Sequence, residues 1–154
     1  MAKEIERKFL VDPDNWSKDG EAFAVTQGYI SVDPERTVRV RIIGKDAYLT
    51  IKGRTTGITR DEFEYPIPLP DAVEMLKMAI YPPIEKIRYQ SFYSGKLWEV
   101  DEFLGANKGL IVAEIELENE NELLIKPEWV MQEVSDDRRY FNSSMAQHPF
   151  QKWE

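Results

Sequence analysis

Apolar and polar residues alternate with a period of two along most of this chain, and turn chemistry interrupts the alternation at intervals. Such alternation marks half-buried β-strands, because successive side chains on a strand point to opposite faces. It predicts eight strands, at residues 3–11, 24–32, 36–43, 47–53, 60–67, 85–93, 96–103 and 110–118. Asp12-Pro13-Asp14 ends the first and Asp33-Pro34-Glu35 the second, while Gly44-Lys45-Asp46 and Ser94-Gly95 make hairpin turns. Helical spacing is rarer. Val73, Leu76 and Ile80 give residues 71–80 an amphipathic face, stopped by Pro82-Pro83. Short helices are expected over 119–125, ahead of Pro127, and over 136–145. The chain reads as one mainly β (α+β) domain over 1–154, with neither repeat nor linker. Eight sequential antiparallel strands close into a barrel or stack as a two-sheet sandwich, and alternation alone fits both.

The polar face of these strands is densely charged. Glu4, Glu6 and Lys8 oppose Ile5 and Phe9; Arg39 and Arg41 oppose Val38, Val40 and Ile42; Lys52 opposes Leu49 and Ile51. Arg60, Glu62 and Glu64 oppose Phe63 and Tyr65, and Lys86 and Arg88 oppose Ile87 and Tyr89. Glu99 and Asp101 oppose Trp98 and Val100, as Glu114 and Glu116 oppose Ile115 and Leu117. For one strand the plain reading is an apolar core face and a wet charged face. For the set it is strained, because several strands carry charges of one sign. Like charges two residues apart lie ~7 Å from each other, costing about 0.6 kcal/mol in water and ~2.4 kcal/mol at an effective dielectric of 20. Solubilising surfaces intersperse signs instead.

That segregation describes a ligand. Arg and Lys pairs suit an anion with several oxygens, and phosphate fits best. Paired carboxylates, as in the two Glu-Ile-Glu stretches at 4–6 and 114–116, suit a hard divalent cation such as Mg²⁺ or Mn²⁺. A metal-bound polyphosphate satisfies both sets. No P-loop is present, since the stretch from Gly53 to Gly57 lacks the following Gly-Lys-Ser/Thr, so side chains would grip the phosphates.

Composition narrows the field further. With 154 residues the chain can bury a core, and zero cysteines exclude disulfides and thiolate metal sites, in keeping with a reducing cytoplasm. The single histidine, His148 beside Pro149, speaks against a His-based zinc site and reads as a surface residue. A net charge of −8 argues against nucleic acid as a partner, and no apolar run is long enough for a membrane span or a signal peptide. Outward apolar residues need cover, from helices or from a second subunit in a homodimer.

The residues then resemble a known family. Glu4-Ile5-Glu6-Arg7-Lys8 is similar to the ExExK signature of the CYTH, or triphosphate tunnel metalloenzyme, superfamily. The likeness runs on through Gln27-Gly28-Tyr29, Thr37 to Arg41, Leu49 to Gly53, Arg60 to Glu64, Glu85 to Tyr89, Trp98 to Asp101, Ala113 to Glu116 and Glu133-Val134. It covers about residues 4–142 and lies nearest the short bacterial tripolyphosphatase-like members. The resemblance implies a closed eight-stranded tunnel with its charged faces inward, covered by a few helices. It implies metal ligation by Glu4, Glu6 and Glu116, with Glu62, Asp101 and Glu114 completing that site or holding a second ion. It implies phosphate binding by Lys8, Arg39, Arg41, Lys52, Lys86 and Arg88, with Arg54, Arg60 and Arg138 beside them. Catalytic roles fall to Glu62, Lys8 and Tyr29, although Tyr29 also reads as an aromatic residue of the barrel wall. The expected activity is metal-dependent hydrolysis of inorganic tripolyphosphate or a related triphosphate. The alternatives are a class IV-type adenylate cyclase, a thiamine triphosphatase and a non-catalytic polyphosphate-binding module. The helix over 136–145 is expected to plug one tunnel mouth, with Trp153 beyond it in a mobile tail.

Overall fold

A computed structural model of the chain describes residues 2–18 and 20–153. The predicted strands appear in order: β1 (Lys3–Val11), β2 (Glu21–Ser31), β3 (Thr37–Ile43), β4 (Asp46–Lys52), β5 (Thr59–Ile67), β6 (Ile84–Tyr93), β7 (Lys96–Phe103) and β8 (Ile111–Glu116). Helix α1 (Leu69–Leu76) lies between β5 and β6. At the β6–β7 hairpin, Ser94 and Gly95 have φ of 52° and 78°, the two left-handed residues that a type I′ turn requires.

All pairings are antiparallel, and the strands neighbour one another in the order β5-β4-β3-β2-β6-β7-β8-β1. β1 then returns to β5, with Glu4 opposite Arg60, while its next residues pair with β8, with Glu6 opposite Glu116. The sheet therefore closes on itself. That settles barrel against sandwich, which alternation had left open. A ninth strand, β9 (Val130–Glu133), was not predicted; it pairs with the far half of β1, where β5 has diverged. Only four residues long, it carries too little alternation to stand out in the sequence.

Closure turns the usual globular arrangement inside out, with charge in the lumen and apolar packing outside the wall. Trp16 and the excursion after β8 cover the outer faces of β1, β7 and β8, burying Phe9, Trp98, Val100 and Ile115. Helix α1 covers β3 and β4 through Ala72, Val40 and Ala47. Gly28 on β2 permits this approach, since a Cβ there would lie 3.0 Å from both Ala79 Cβ and Leu76 Cδ2. The outer faces of β4 and β5 keep Ile51, Phe63 and Tyr65 exposed. Among the described residues, no helix is long and apolar enough to cross a membrane.

The C-terminal third departs most from expectation. Residues 119–125 form turns and extended chain instead of a helix. There the Asn119 side chain accepts a hydrogen bond from the Asn121 amide, and the Glu122 side chain accepts one from the Glu118 amide. Such local bonds draw backbone donors away from a helical ladder. The expected helix over 136–145 is also broken. A 3₁₀ turn, Arg138–Tyr140, is capped by Asp137, and a separate helix, α2 (Asn142–Gln147), follows an extended Phe141. Trp153 is not in a mobile tail. It packs edge-on against Tyr140 and Phe150 and donates from Nε1 to the His148 carbonyl at 2.9 Å. His148 is exposed, as read from the sequence.

Candidate active site

Cross-strand partners share a face, so register maps the lumen. Along β6 the inward residues run Ile84, Lys86, Arg88, Gln90 and Phe92, and the last four stand opposite Phe103, Asp101, Glu99 and Leu97 of β7. At one end Tyr29, Ile84, Phe103 and Val112 pack beneath Met145 of α2. The middle is charged and encloses a cavity of about 280 Å³. Towards the other end exposure rises: the side chain of Asp101 is 2% exposed and that of Glu99 33%.

A network of ion pairs crosses the lumen. Arg88 grips Asp101 with two parallel bonds, Nε to Oδ1 at 2.8 Å and a terminal nitrogen to Oδ2 at 2.9 Å, and reaches Glu114 at 3.0 Å. Lys86 lies 2.8 Å from the same Asp101. Lys8 pairs with Glu114 at 3.2 Å, Lys52 with Glu4 at 3.1 Å and with Glu62 at 3.4 Å, and Arg41 with Glu64 at 2.9 Å. Burial opposes ionisation of Glu114, yet Lys8 and Arg88 outweigh it and hold the carboxyl well below its usual range. Burial pushes Lys86 down to about 8 against the pull of Asp101. Burial and then Arg39 and Arg88 push Arg41 down to about 10. The buried Nε atoms of Arg39 and Arg41 have no hydrogen-bond acceptor. This cluster of cations is short of anionic oxygen.

The opposite deficit lies at the β1–β8 seam. Glu6 and Glu116 are direct cross-strand partners, and neither side-chain carboxylate forms a hydrogen bond or ion pair with a described residue. Burial, then Glu114 and Glu4, push the Glu6 carboxyl well above its ordinary range. Burial, then Glu4 and Glu99, push Glu116 up. Two adjacent carboxylates short of positive charge, on a half-buried Glu6 and an exposed Glu116, fit a hard divalent cation. Among the described residues, no three acidic side chains converge as a ready-made metal cluster. Glu4, Asp101 and Glu114 turn towards lysine and arginine instead.

A segment outside the barrel completes the lumen. Asn142 Oδ1 accepts from Gln27 Nε2 at 2.5 Å and from Lys86 Nζ at 3.0 Å, and the Tyr140 carbonyl accepts from Lys8 Nζ at 3.1 Å. The extended Phe141 between them lets the chain dip into the tunnel end, where its ring lies 5.5 Å from Lys8 Nζ. The segment expected to plug one mouth forms a turn and the start of a short helix, and Lys8 and Lys86 of the lumen donate to it. Gln27, Thr50, Glu64 and Asn142 were not among the predicted site residues. Thr50 and Glu64 lay on the alternating face and were legible there, whereas Asn142 follows a helix break that no spacing reveals.

Most predicted residues meet in this one space. Lys8, Arg39, Arg41, Lys52, Arg60, Lys86 and Arg88 line it with Glu4, Glu6, Glu62, Glu114 and Glu116. Two arginines do not. Arg54 is exposed and pairs with Glu35, and Arg138 is exposed in the 3₁₀ turn. Both sit on turns outside the strand alternation that aims the others inward. Asp101 is sealed behind Lys86 and Arg88, where it orients two cations. Tyr29 borders the lumen but is 5% exposed and packs with Met145 and Phe103, so its wall role is the one the packing displays.

The CYTH domain family model matches residues 2–148. An inorganic triphosphatase of Acetivibrio thermocellus is 46% identical over 155 residues, covering 100% of this chain and 99% of that protein. An inorganic triphosphatase of Nitrosomonas europaea is 34% identical over 149 residues, covering 93% and 96%. The crystal structure of the inorganic triphosphatase NE1496 superposes with a TM-score of 0.66 at 32% identity, covering 95% of each chain. With its closed antiparallel barrel and charged lumen, this chain belongs to the CYTH domain family.

Proposed function

We propose that the chain is a divalent-metal-dependent triphosphatase that hydrolyses the terminal phosphate of inorganic tripolyphosphate inside its lumen. One observation carries this reading: unsatisfied guanidinium nitrogens on Arg39 and Arg41 share a cavity with the uncompensated carboxylates Glu6 and Glu116. A polyphosphate complements the first set and a cation the second. The two relatives named inorganic triphosphatase support the choice of substrate. Glu6 and Glu116, with Glu4, would hold the ion, and Mg²⁺ or Mn²⁺ suits their hard oxygen donors. When bound, it supplies neutralisation of phosphate charge.

The remaining chemistry belongs to side chains. Lys8, Arg39, Arg41, Lys86 and Arg88 bind the phosphate oxygens and stabilise charge that builds on the leaving pyrophosphate. Glu62, whose carboxyl is pushed up by burial and by Glu4, would orient the attacking water and accept its proton. The water oxygen bonds to the terminal phosphorus as the bridging P–O bond breaks, giving phosphate, pyrophosphate and one proton. The cysteine-free chain suits a cytoplasmic setting.

A phosphate-release panel over tripolyphosphate, ATP and thiamine triphosphate, each with Mg²⁺ and Mn²⁺, tests the reading. Tripolyphosphate should be cleaved in a metal-dependent manner, and Glu6→Ala should abolish release while circular dichroism stays native. Full activity in excess EDTA or in Glu6→Ala would sink it, and cAMP from ATP would replace hydrolysis by cyclisation.

A further inference from the structure

On the lumen face of β2 the side chains run Phe23, Val25, Gln27 and Tyr29, so Gln27 places an amide in an otherwise aromatic and aliphatic row. It is fully buried, with Arg41 of β3 and Ile84 of β6 as its direct cross-strand partners. A buried amide costs free energy unless its polar atoms are satisfied. Gln27 meets that condition by half. Its Nε2 donates to Asn142 Oδ1 at 2.5 Å, while Oε1 has no donor among the described residues. A methionine would fill a side chain of the same length and leave no orphan, so packing by itself does not account for an amide at this position.

The partner of that amide explains it better. Asn142 Oδ1 also accepts from Lys86 Nζ at 3.0 Å, and Lys86 is held in turn by Asp101 at 2.8 Å. An ammonium can only donate, so the Asn142 oxygen must face it, and Gln27 must then present its nitrogen to the same oxygen. Lys86 alone would hold that oxygen with one bond from a flexible stem. Gln27 adds a second bond from a buried strand residue. This order of donors and acceptors leaves the two N–H groups of Asn142 Nδ2 without a partner among the described residues, on an atom that is not sealed from solvent. Asn142 borders the lumen cavity. We propose that Gln27 is a positioning residue that acts through Asn142, holding its carbonyl oxygen beside Lys86 so that its amide nitrogen donates to a phosphate oxygen of the bound triphosphate. The inference rests on the triphosphatase reading and deepens it. It adds to the phosphate site a neutral donor, which does not repel Lys8 and Lys86 as a further cation would.

A double-mutant cycle tests this. Gln27→Met keeps the packing and should raise the KM for tripolyphosphate about tenfold, with kcat within about twofold and Tm within about 4 °C of the unaltered protein. Asn142→Leu removes the donor itself and should raise KM by a similar factor. In the Asn142→Leu background, Gln27→Met should then change KM by less than about twofold, because the group it positions is already gone. Gln27→Leu repeats the comparison with a second apolar side chain, so that a misfit peculiar to methionine does not decide the outcome. Effects on KM that multiply in the double variants, or Gln27 variants with an unchanged KM, would overturn the positioning role. A Gln27 that serves packing alone predicts the second of these, with a lowered Tm. An unaltered protein that leaves tripolyphosphate intact would overturn the triphosphatase reading instead. The same cycle in tripolyphosphate dissociation constants, taken by calorimetry, would then judge Gln27 by itself.

Discussion

Glu6 and Glu116 face each other across the β1–β8 seam as direct cross-strand partners, and neither carboxylate forms an ion pair with a described residue. Like charges opposite one another destabilise a sheet. Without a cation, this pair is a local cost in a fold held together elsewhere by the apolar packing of Phe9 and Trp98.

Glu6→Gln should therefore stabilise the metal-free protein while impairing turnover. Removing the repulsion is worth about 1 kcal/mol, a rise of roughly 2–4 °C in Tm for a chain of this size. Thermal unfolding in EDTA and then in Mg²⁺ checks this. The unaltered protein should gain stability on adding Mg²⁺, and Glu6→Gln should gain much less.

Asp101→Ala should have the reverse effect. It removes the one carboxylate that both Lys86 and Arg88 hold, leaving two buried cations without it. Losing one partner of a buried pair costs ~3–5 kcal/mol, a fall of about 10 °C in Tm. Because Lys86 then loses its ion pair and Arg88 keeps only Glu114 and Glu99, added tripolyphosphate should raise the Tm of Asp101→Ala by more than that of the unaltered protein. Equal shifts would contradict the role given to Asp101.

Asn142→Asp places a carboxylate beside Lys86, where the amide oxygen now lies at 3.0 Å. The new charge neutralises the lysine and repels phosphate, so the KM for tripolyphosphate should rise about tenfold, an effect of ~1.4 kcal/mol. Asn142→Ala leaves the buried Gln27 amide without its acceptor and should cost about 1–3 kcal/mol of stability. Steady-state kinetics and denaturant unfolding separate the two effects.

On the outside, Arg7 donates to Glu133 at 3.0 and 2.6 Å, tying β9 to β1. The hydrogen bonds from Arg7 hold the Glu133 carboxyl below its reference value of 4.5. A depressed carboxyl adds stability that is fully present above about pH 4.5 and is lost as pH falls through the lower folded value. Glu133→Gln should thus lower stability at neutral pH by up to about 1 kcal/mol, the range of partly exposed pairs, and the difference should vanish in acid. Unfolding midpoints across pH 2–7 check the slope.

Strand existence and the identity of the charged face were both legible in the sequence. Each is written in a local period of two, as in Glu4-Ile5-Glu6 or Arg39-Val40-Arg41. So was the pairing of oxygen-rich anion with hard cation, because side-chain chemistry does not depend on the fold. Closure was not. Whether β1 meets β5 is a contact between residues 4 and 60, and no local pattern encodes a contact at that separation. The same limit hid β9, the broken C-terminal helix and Asn142, whose positions depend on docking against Lys8, Gln27 and Lys86. The division within the site follows from this too. Alternation could place Glu6 and Asp101 on charged faces alike, but only the closed barrel gave Asp101 two cations and left Glu6 facing Glu116.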